Sequence, residues 1–178
     1  MHREVPVELS ALEDAFVHGG WELRHYLDLE TGDVVAVADE VNRELEEIYG
    51  QLGEEGSELE QDVASAIGGR DVPPWEKEAL LEAHRVEEGF GTRYLAIPWV
   101  EASDAYRDME AFIPTVEERS LQERLWHAIG GRKPFRRFRD ILGAHPAERE
   151  RWFKFESAMV RERVLEWLED EGIAPLVK

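Results

Sequence analysis

Apolar positions recur at helical spacing along most of the chain. Val7, Leu9, Leu12, Ala15 and Phe16 fall on one stripe that Gly19-Gly20 interrupts, which predicts a short helix over 7–18. Val41, Leu45, Ile48, Tyr49 and Leu52 give a second stripe over 39–52, and further helices are predicted at 57–67 and 74–88. Beyond Ala102 every segment is helical, near 102–113, 120–129, 134–143 and 146–171. The last of these has the widest stripe, made of Trp152, Phe153, Met159, Val160, Val164, Trp167 and Leu168. Pro146 suits its first turn and Gly172 a left-handed residue just past its end.

Two stretches depart from that period. Trp21–Leu29 and Val34–Val37 are β-prone runs around Glu30-Thr31-Gly32-Asp33, which reads as a hairpin over 21–38. Arg93–Pro98 reads as a strand, and Pro98 places it at a sheet edge or strand end. The predicted fold is therefore α+β and mostly helical. A small antiparallel sheet, the hairpin at 21–38 plus the strand near 93–98, accompanies a helical C-terminal half. One domain over 1–178 is expected, divisible into an α+β part (1–100) and a helical part (101–173).

The pentapeptide AIGGR occurs twice, at 66–70 and 128–132. Each copy closes a segment that opens with Ser-x-x-Glu, at Ser57–Glu60 and Ser120–Glu123, the spacing of a capping box. Each ends on Gly-Gly, which stops a helix by taking the left-handed conformation cheaply. The repeat thus predicts two helices with shared start and stop signals. The residues just beyond the two copies are unlike. After the first copy, acids flank the next helix start, at Asp71 and Glu76. After the second, Arg132, Lys133, Arg136 and Arg137 crowd a helix opening at Pro134, and no acid appears before Asp140.

Charge sharpens that contrast. The formal net charge is −19, which argues against broad binding to nucleic acid or acidic membranes. Residues 1–118 hold 30 acids and 8 bases, whereas 119–163 hold 12 bases and 6 acids. Cations at the positive end of a helix are locally unfavourable, so something negative should offset them. Acidic side chains of the N-terminal two-thirds are one source, pairing internally. A bound phosphate or nucleic-acid backbone at Arg132, Lys133, Arg136 and Arg137, with Lys154, Arg149 and Arg151 on the next helix, is the other. Phe135, Phe138, Trp152 and Phe155 interleave with these cations; their spacing assigns most of them to the core, and they would stack on bases only if exposed.

Several phrases, taken in order, carry a resemblance. YLDLETGDVV (26–35), RYLAIPWVEASDAYRDMEAFI (93–113), FRRFRDIL (135–142) and RERVLEWLEDEGI (161–173) together resemble the bacterial uncharacterised protein family 0158. The likeness runs over most of the chain and is weakest across 40–90. It implies one bacterial domain type and no activity, cofactor or catalytic residue.

Other chemistry finds little footing. The absence of cysteine excludes disulfides, thiolate metal sites and cysteine nucleophiles. The six histidines show no metal-ligand spacing, and no nucleophile elbow, phosphate loop or dinucleotide motif is present. Asp28 and Glu30 alternate on a predicted strand and share a face; with Asp33 they have the donors for a hard cation, though Glu-Thr-Gly-Asp is also ordinary turn chemistry. No cofactor, metal or catalytic residue is assigned. The chain has no signal-like N-terminus and no apolar run of membrane-spanning length, so a cytoplasmic location is expected. The leading expectation is a non-enzymatic binding or adaptor protein with an unidentified protein partner; the alternative is a nucleic-acid or phosphate binder using 132–154.

Overall fold

The computed structural model describes residues 3–55 and 59–177. The predicted Ser57–Glu60 capping box lies outside the described residues. The chain forms two compact units, Met1–Trp99 with Gly172–Lys178, and Val100–Glu171.

The first unit contains β1 (Arg3–Val7), α1 (Leu9–His18), β2 (Leu23–Asp28), β3 (Val34–Ala38), α2 (Asp39–Glu55), α3 (Leu59–Gly68), α4 (Pro74–Glu88), β4 (Tyr94–Ile97) and β5 (Ile173–Val177). The antiparallel sheet has the order β3-β2-β4, so the hairpin and the third strand form as the sequence predicts, with β4 at an edge beside Pro98. Tyr26 on the central strand lies opposite Val35 and Ala96. Its core gathers Tyr26, Val37, Leu45, Ile48, Ile67, Leu80 and Tyr94. Each such side chain contributes roughly 1.5–3 kcal/mol when removed from water.

The hairpin turn depends on two residues. Gly32 has φ +75°, and a β-carbon there would lie 1.6 Å from the Pro6 carbonyl oxygen. Asp28 is buried and accepts amide hydrogens from Glu30 (2.9 Å) and Thr31 (3.4 Å). Arg93 clamps the same carboxylate through Nε (3.1 Å) and Nη2 (2.7 Å), and its Nη1 lies 2.9 Å from Glu30. The strand ends at Asp28 and Glu30 lies in the turn beyond it, so the two do not alternate on one strand; the cation that both carboxylates hold is Arg93. Burial pushes the Asp28 carboxyl up, but Arg93 and the two amides outweigh burial and hold it below the usual carboxylate range.

Strands β1 and β5 form a separate parallel pair, with Val5 opposite Pro175 and Val7 opposite Val177. This sheet is absent from the sequence-based prediction, which started a helix at Val7. Each strand is five residues long and carries a proline. The fully buried Val5 and Val7 alternate across Pro6, the one period-2 signal that marked β1.

The second unit is α5 (Ala102–Phe112), a 3-10 turn (Ile113–Thr115), α6 (Arg119–Ile129), α7 (Pro134–Gly143) and α8 (Pro146–Asp170). Phe112 is the hub of its core. Its ring meets Phe138 at 6.3 Å, Trp152 at 5.2 Å and Phe155 at 5.6 Å, and Phe138 meets Trp152 at 4.9 Å, all edge-on. Asp108 on α5 takes a bidentate bond from Arg163 on α8, at 2.8 and 2.6 Å. Phe153, placed on the apolar stripe of α8 by sequence, is 53% exposed. Adjacent helical residues point about 100° apart, and Trp152 takes the core direction.

Candidate functional site

Each AIGGR arginine has its own fate. Helix α3 ends at Gly68, and Arg70 then pairs with Glu44 of α2. The Lys77 ammonium donates to the Gly68 carbonyl at 2.8 Å, satisfying the end of the helix. In the second copy the Tyr106 hydroxyl donates to the Ile129 carbonyl at 3.1 Å, while Arg132 is exposed and pairs with no carboxylate among the described residues.

Two local expectations are corrected here. The capping box at Ser120 does not form: α6 starts one residue earlier, at Arg119, with Glu118 at its N-cap. That start puts Ser120 inside the helix, where its hydroxyl donates to Glu118 at 2.7 Å, and Glu123 pairs with Arg119 at 3.2 Å. Nor do the Gly-Gly pairs stop their helices by turning left-handed. Gly130 has φ −73°, and the positive-φ glycines are Gly32, Gly91 and Gly172. Gly130 N–H donates back to the Trp126 carbonyl at 3.2 Å, so the helix frays in right-handed geometry. Gly131 lies under a flexible side-chain end that a larger residue would simply displace. A β-carbon there would lie 2.4 Å from the Arg137 guanidinium, which folds back over the loop.

The left-handed residue of this turn is Lys133, at φ 53° and ψ 54°, among the described residues the one non-glycine with positive φ. It is the N-cap of α7. Its side chain is a donor without acceptor capacity, so it leaves the first-turn amides uncapped. No acid lies in the first turn, as also in α1 and α6, which carry Glu8 and Glu118 at the N-cap, whereas α4, α5 and α8 carry Glu76, Asp104 and Glu148 in their first turns. The α7 stripe of Phe138 and Leu142 faces the core and fixes the helix, which turns Arg136 and Arg137 outward. Arg136 is 74% exposed and meets Asp140, one turn along, at 3.8 Å. Arg132, Lys133 and Arg137 are exposed and have no ion pair among the described residues.

Arg132, Lys133, Arg136 and Arg137 are thus all exposed along the loop and first turns of α7, with Arg136 directed along the helix toward Asp140. Lys154 lies two residues past the buried Trp152, on the solvent side of α8, and pairs with Glu150 at 3.8 Å. Arg151 is spent on structure, donating to the carbonyl and hydroxyl of Thr115, both at 3.1 Å. Arg139 and Glu156 line a cleft together with Phe138 and Trp152. Burial and the Asp108 charge push the Glu156 carboxyl up, and Arg139 offsets part of that. The interleaved aromatics mostly belong to the core, with Phe138 and Trp152 buried and Phe135 and Phe155 half-buried. An exposed ring that sequence reasoning passed over is Trp126, on the last turn of α6, a few residues before Arg132 in sequence and 42% exposed. Its signal was its place opposite the buried Leu121, Leu125 and Ala128.

These features define a class: a helix-rich α+β protein whose helical unit presents an uncapped, cationic helix start. Residues 76–178 match the uncharacterised protein family UPF0158, and the chain belongs to that family. It is similar to a UPF0158 protein of Pseudomonas aeruginosa, with 26% identity over 173 residues that span 97% of this chain and 89% of the relative. No solved structure matches the chain. Among the described residues no group of three or more His, Asp or Glu side chains gathers as a metal site, and no helix is long and apolar enough to cross a membrane.

Proposed function

We propose that this chain is a non-enzymatic binding protein of the bacterial cytoplasm, and that its ligand is single-stranded nucleic acid held through its phosphates at the start of α7. One observation carries the reading: Arg132, Lys133, Arg136 and Arg137 are all exposed at a helix start with no side-chain cap, and among the described residues the one carboxylate that pairs with any of them is Asp140, at 3.8 Å from Arg136. Charge of that sign at the positive end of a helix dipole is offset by a bound anion. Lys133 adds weight, because a left-handed lysine costs about 1–2 kcal/mol that glycine would avoid. Trp126 supplies a ring on which a base can stack, which favours an unpaired strand over a duplex. The acidic first unit, with 24 acids and 8 bases, repels nucleic acid and confines contact to this turn.

The test is fluorescence anisotropy of labelled single-stranded RNA and DNA with the full chain and with Arg136→Glu/Arg137→Glu. Both side chains are exposed, so the variant is expected to fold with unchanged circular dichroism and to lose binding. Equal binding by the folded variant would sink the reading. A captured protein partner, with no nucleic-acid binding at low salt, would move the function to an adaptor role.

A further inference from the structure

A second site lies in the first unit, remote in sequence from the cationic turn. Helix α2 carries Asn42, Glu46 and Tyr49 on one stripe, at i, i+4 and i+7. Arg24 and Tyr26 alternate on β2 and share the sheet face that this stripe covers. Between them, closed by Glu87 of α4, is a cleft of about 260 Å³. That volume holds roughly nine water-sized groups.

The cleft is bipolar. Asp39 N–H donates to the Glu22 carbonyl at 2.9 Å, which puts the start of α2 beside the start of β2, and so beside Arg24. At that end Asp39 and Arg43 neutralise each other at 3.1 Å, which leaves the Asn42 amide and Arg24, whose guanidinium lies 5.7 Å from the Trp21 ring centroid and has no carboxylate partner among the described residues, to meet a ligand. Glu46 is one turn beyond Asn42 and Tyr49 nearly two, about 6 and 10 Å along the axis. Among the described residues Arg24, Glu46 and Glu87 have no ion pair.

A buried relay fixes what Tyr49 offers. Its hydroxyl lies 2.7 Å from Nδ1 of the buried His84, whose Nε2 is 3.5 Å from Glu88. With the ring proton on Nε2 toward Glu88, Nδ1 accepts and Tyr49 donates to it. In that arrangement the Tyr49 hydroxyl oxygen, on the lining of the cleft, is left as an acceptor. Burial and the charges of Glu87 and Glu88 push the Tyr49 pKa up to about 12, so it stays a neutral hydroxyl.

We infer that this cleft binds a short linear zwitterion of dipeptide size, its ammonium toward Glu46, Glu87 and the Tyr49 hydroxyl, its carboxylate toward Arg24 and Asn42. Two extended residues separate the terminal charges by about 7 Å, which matches the spacing along α2. A single free α-amino acid holds its charges too close together to reach both ends. Walls that carry opposite unpaired charges also disfavour a ligand with one sign only.

Asn42 is the sole asparagine of the chain, so labelling with 15N-asparagine gives one reporter, on the wall of the cleft. The full chain is titrated with glycylglycine and alanylalanine, and with their N-acetyl and C-amide forms. The two free dipeptides are expected to shift the Asn42 side-chain amide saturably, and each blocked form to bind about tenfold more weakly, as the loss of one charge-assisted bond implies. Glu46→Gln should abolish discrimination against the N-acetyl form, and Arg24→Gln discrimination against the C-amide. Both positions are exposed, so these variants keep the fold. The inference fails if neither dipeptide moves the signal at about 10 mM, weaker than any useful site, or if blocked and free forms bind alike.

Discussion

Single residues decide where this chain commits its charges. Arg70 and Arg132 close identical pentapeptides, yet Arg70 is consumed by Glu44 and Arg132 is left to solvent. Lys133 shows the cost of the second arrangement, since its backbone sits where glycine belongs. Lys133→Gly should therefore raise stability by about 1 kcal/mol in denaturant unfolding while weakening capture of a labelled strand. A variant that gains stability and keeps full affinity would remove Lys133 from the site. Asp28 makes a prediction about pH. Its carboxyl titrates below its unfolded value, so the stability it supplies is present above about pH 4 and is lost as pH falls through the lowered folded-state value. In Asp28→Asn that contribution is missing at every pH. Urea midpoints of the wild type should fall more steeply below about pH 4 than those of the variant; parallel acid limbs would contradict the assignment.

At the scale of elements, three of the four phrases that carried the family resemblance are linked by two buried carboxylates, the 93–113 phrase taking part in both links. YLDLETGDVV meets RYLAIPW through Asp28 and Arg93, and DAYRDMEAFI meets RERVLEW through Asp108 and Arg163. The second pair ties α5 to α8 with Asp108 buried. Asp108→Leu alone strands a guanidinium and Arg163→Met alone strands a carboxylate, so each should cost about 3 kcal/mol; the double variant should recover most of that loss. Strictly additive losses in a double-mutant cycle would mean that the pair is not coupled. Helix positions were legible because the stripes are long and proline or glycine marks their ends, as at Pro134, Pro146 and Gly172. The hairpin was legible from Gly32. The parallel β1–β5 pair was not, because its partners lie at opposite ends of the chain and each contains a proline. Cap chemistry failed at Ser120, because α6 starts one residue earlier and puts Ser120 inside the helix, where its hydroxyl donates to Glu118. The cationic turn could be read from Arg132 to Arg137, but its exposure could not, and the Tyr49–His84–Glu88 relay needed two helices brought together.

At the scale of the molecule, the charge is segregated by unit. The first unit is net −16 and the second, with 16 acids and 13 bases, net −3. A protein of net −19 then binds a polyanion only through a local patch, and that binding must be weak in salt. The most direct measurement is the salt dependence of the association constant for a labelled single-stranded RNA. Four phosphate contacts at about 0.7 counterions each predict that log K falls with log salt at a slope of about −3, with Arg136→Glu/Arg137→Glu abolishing binding. A wild-type chain that binds no strand at low salt, or binds with a slope near zero, would contradict the account.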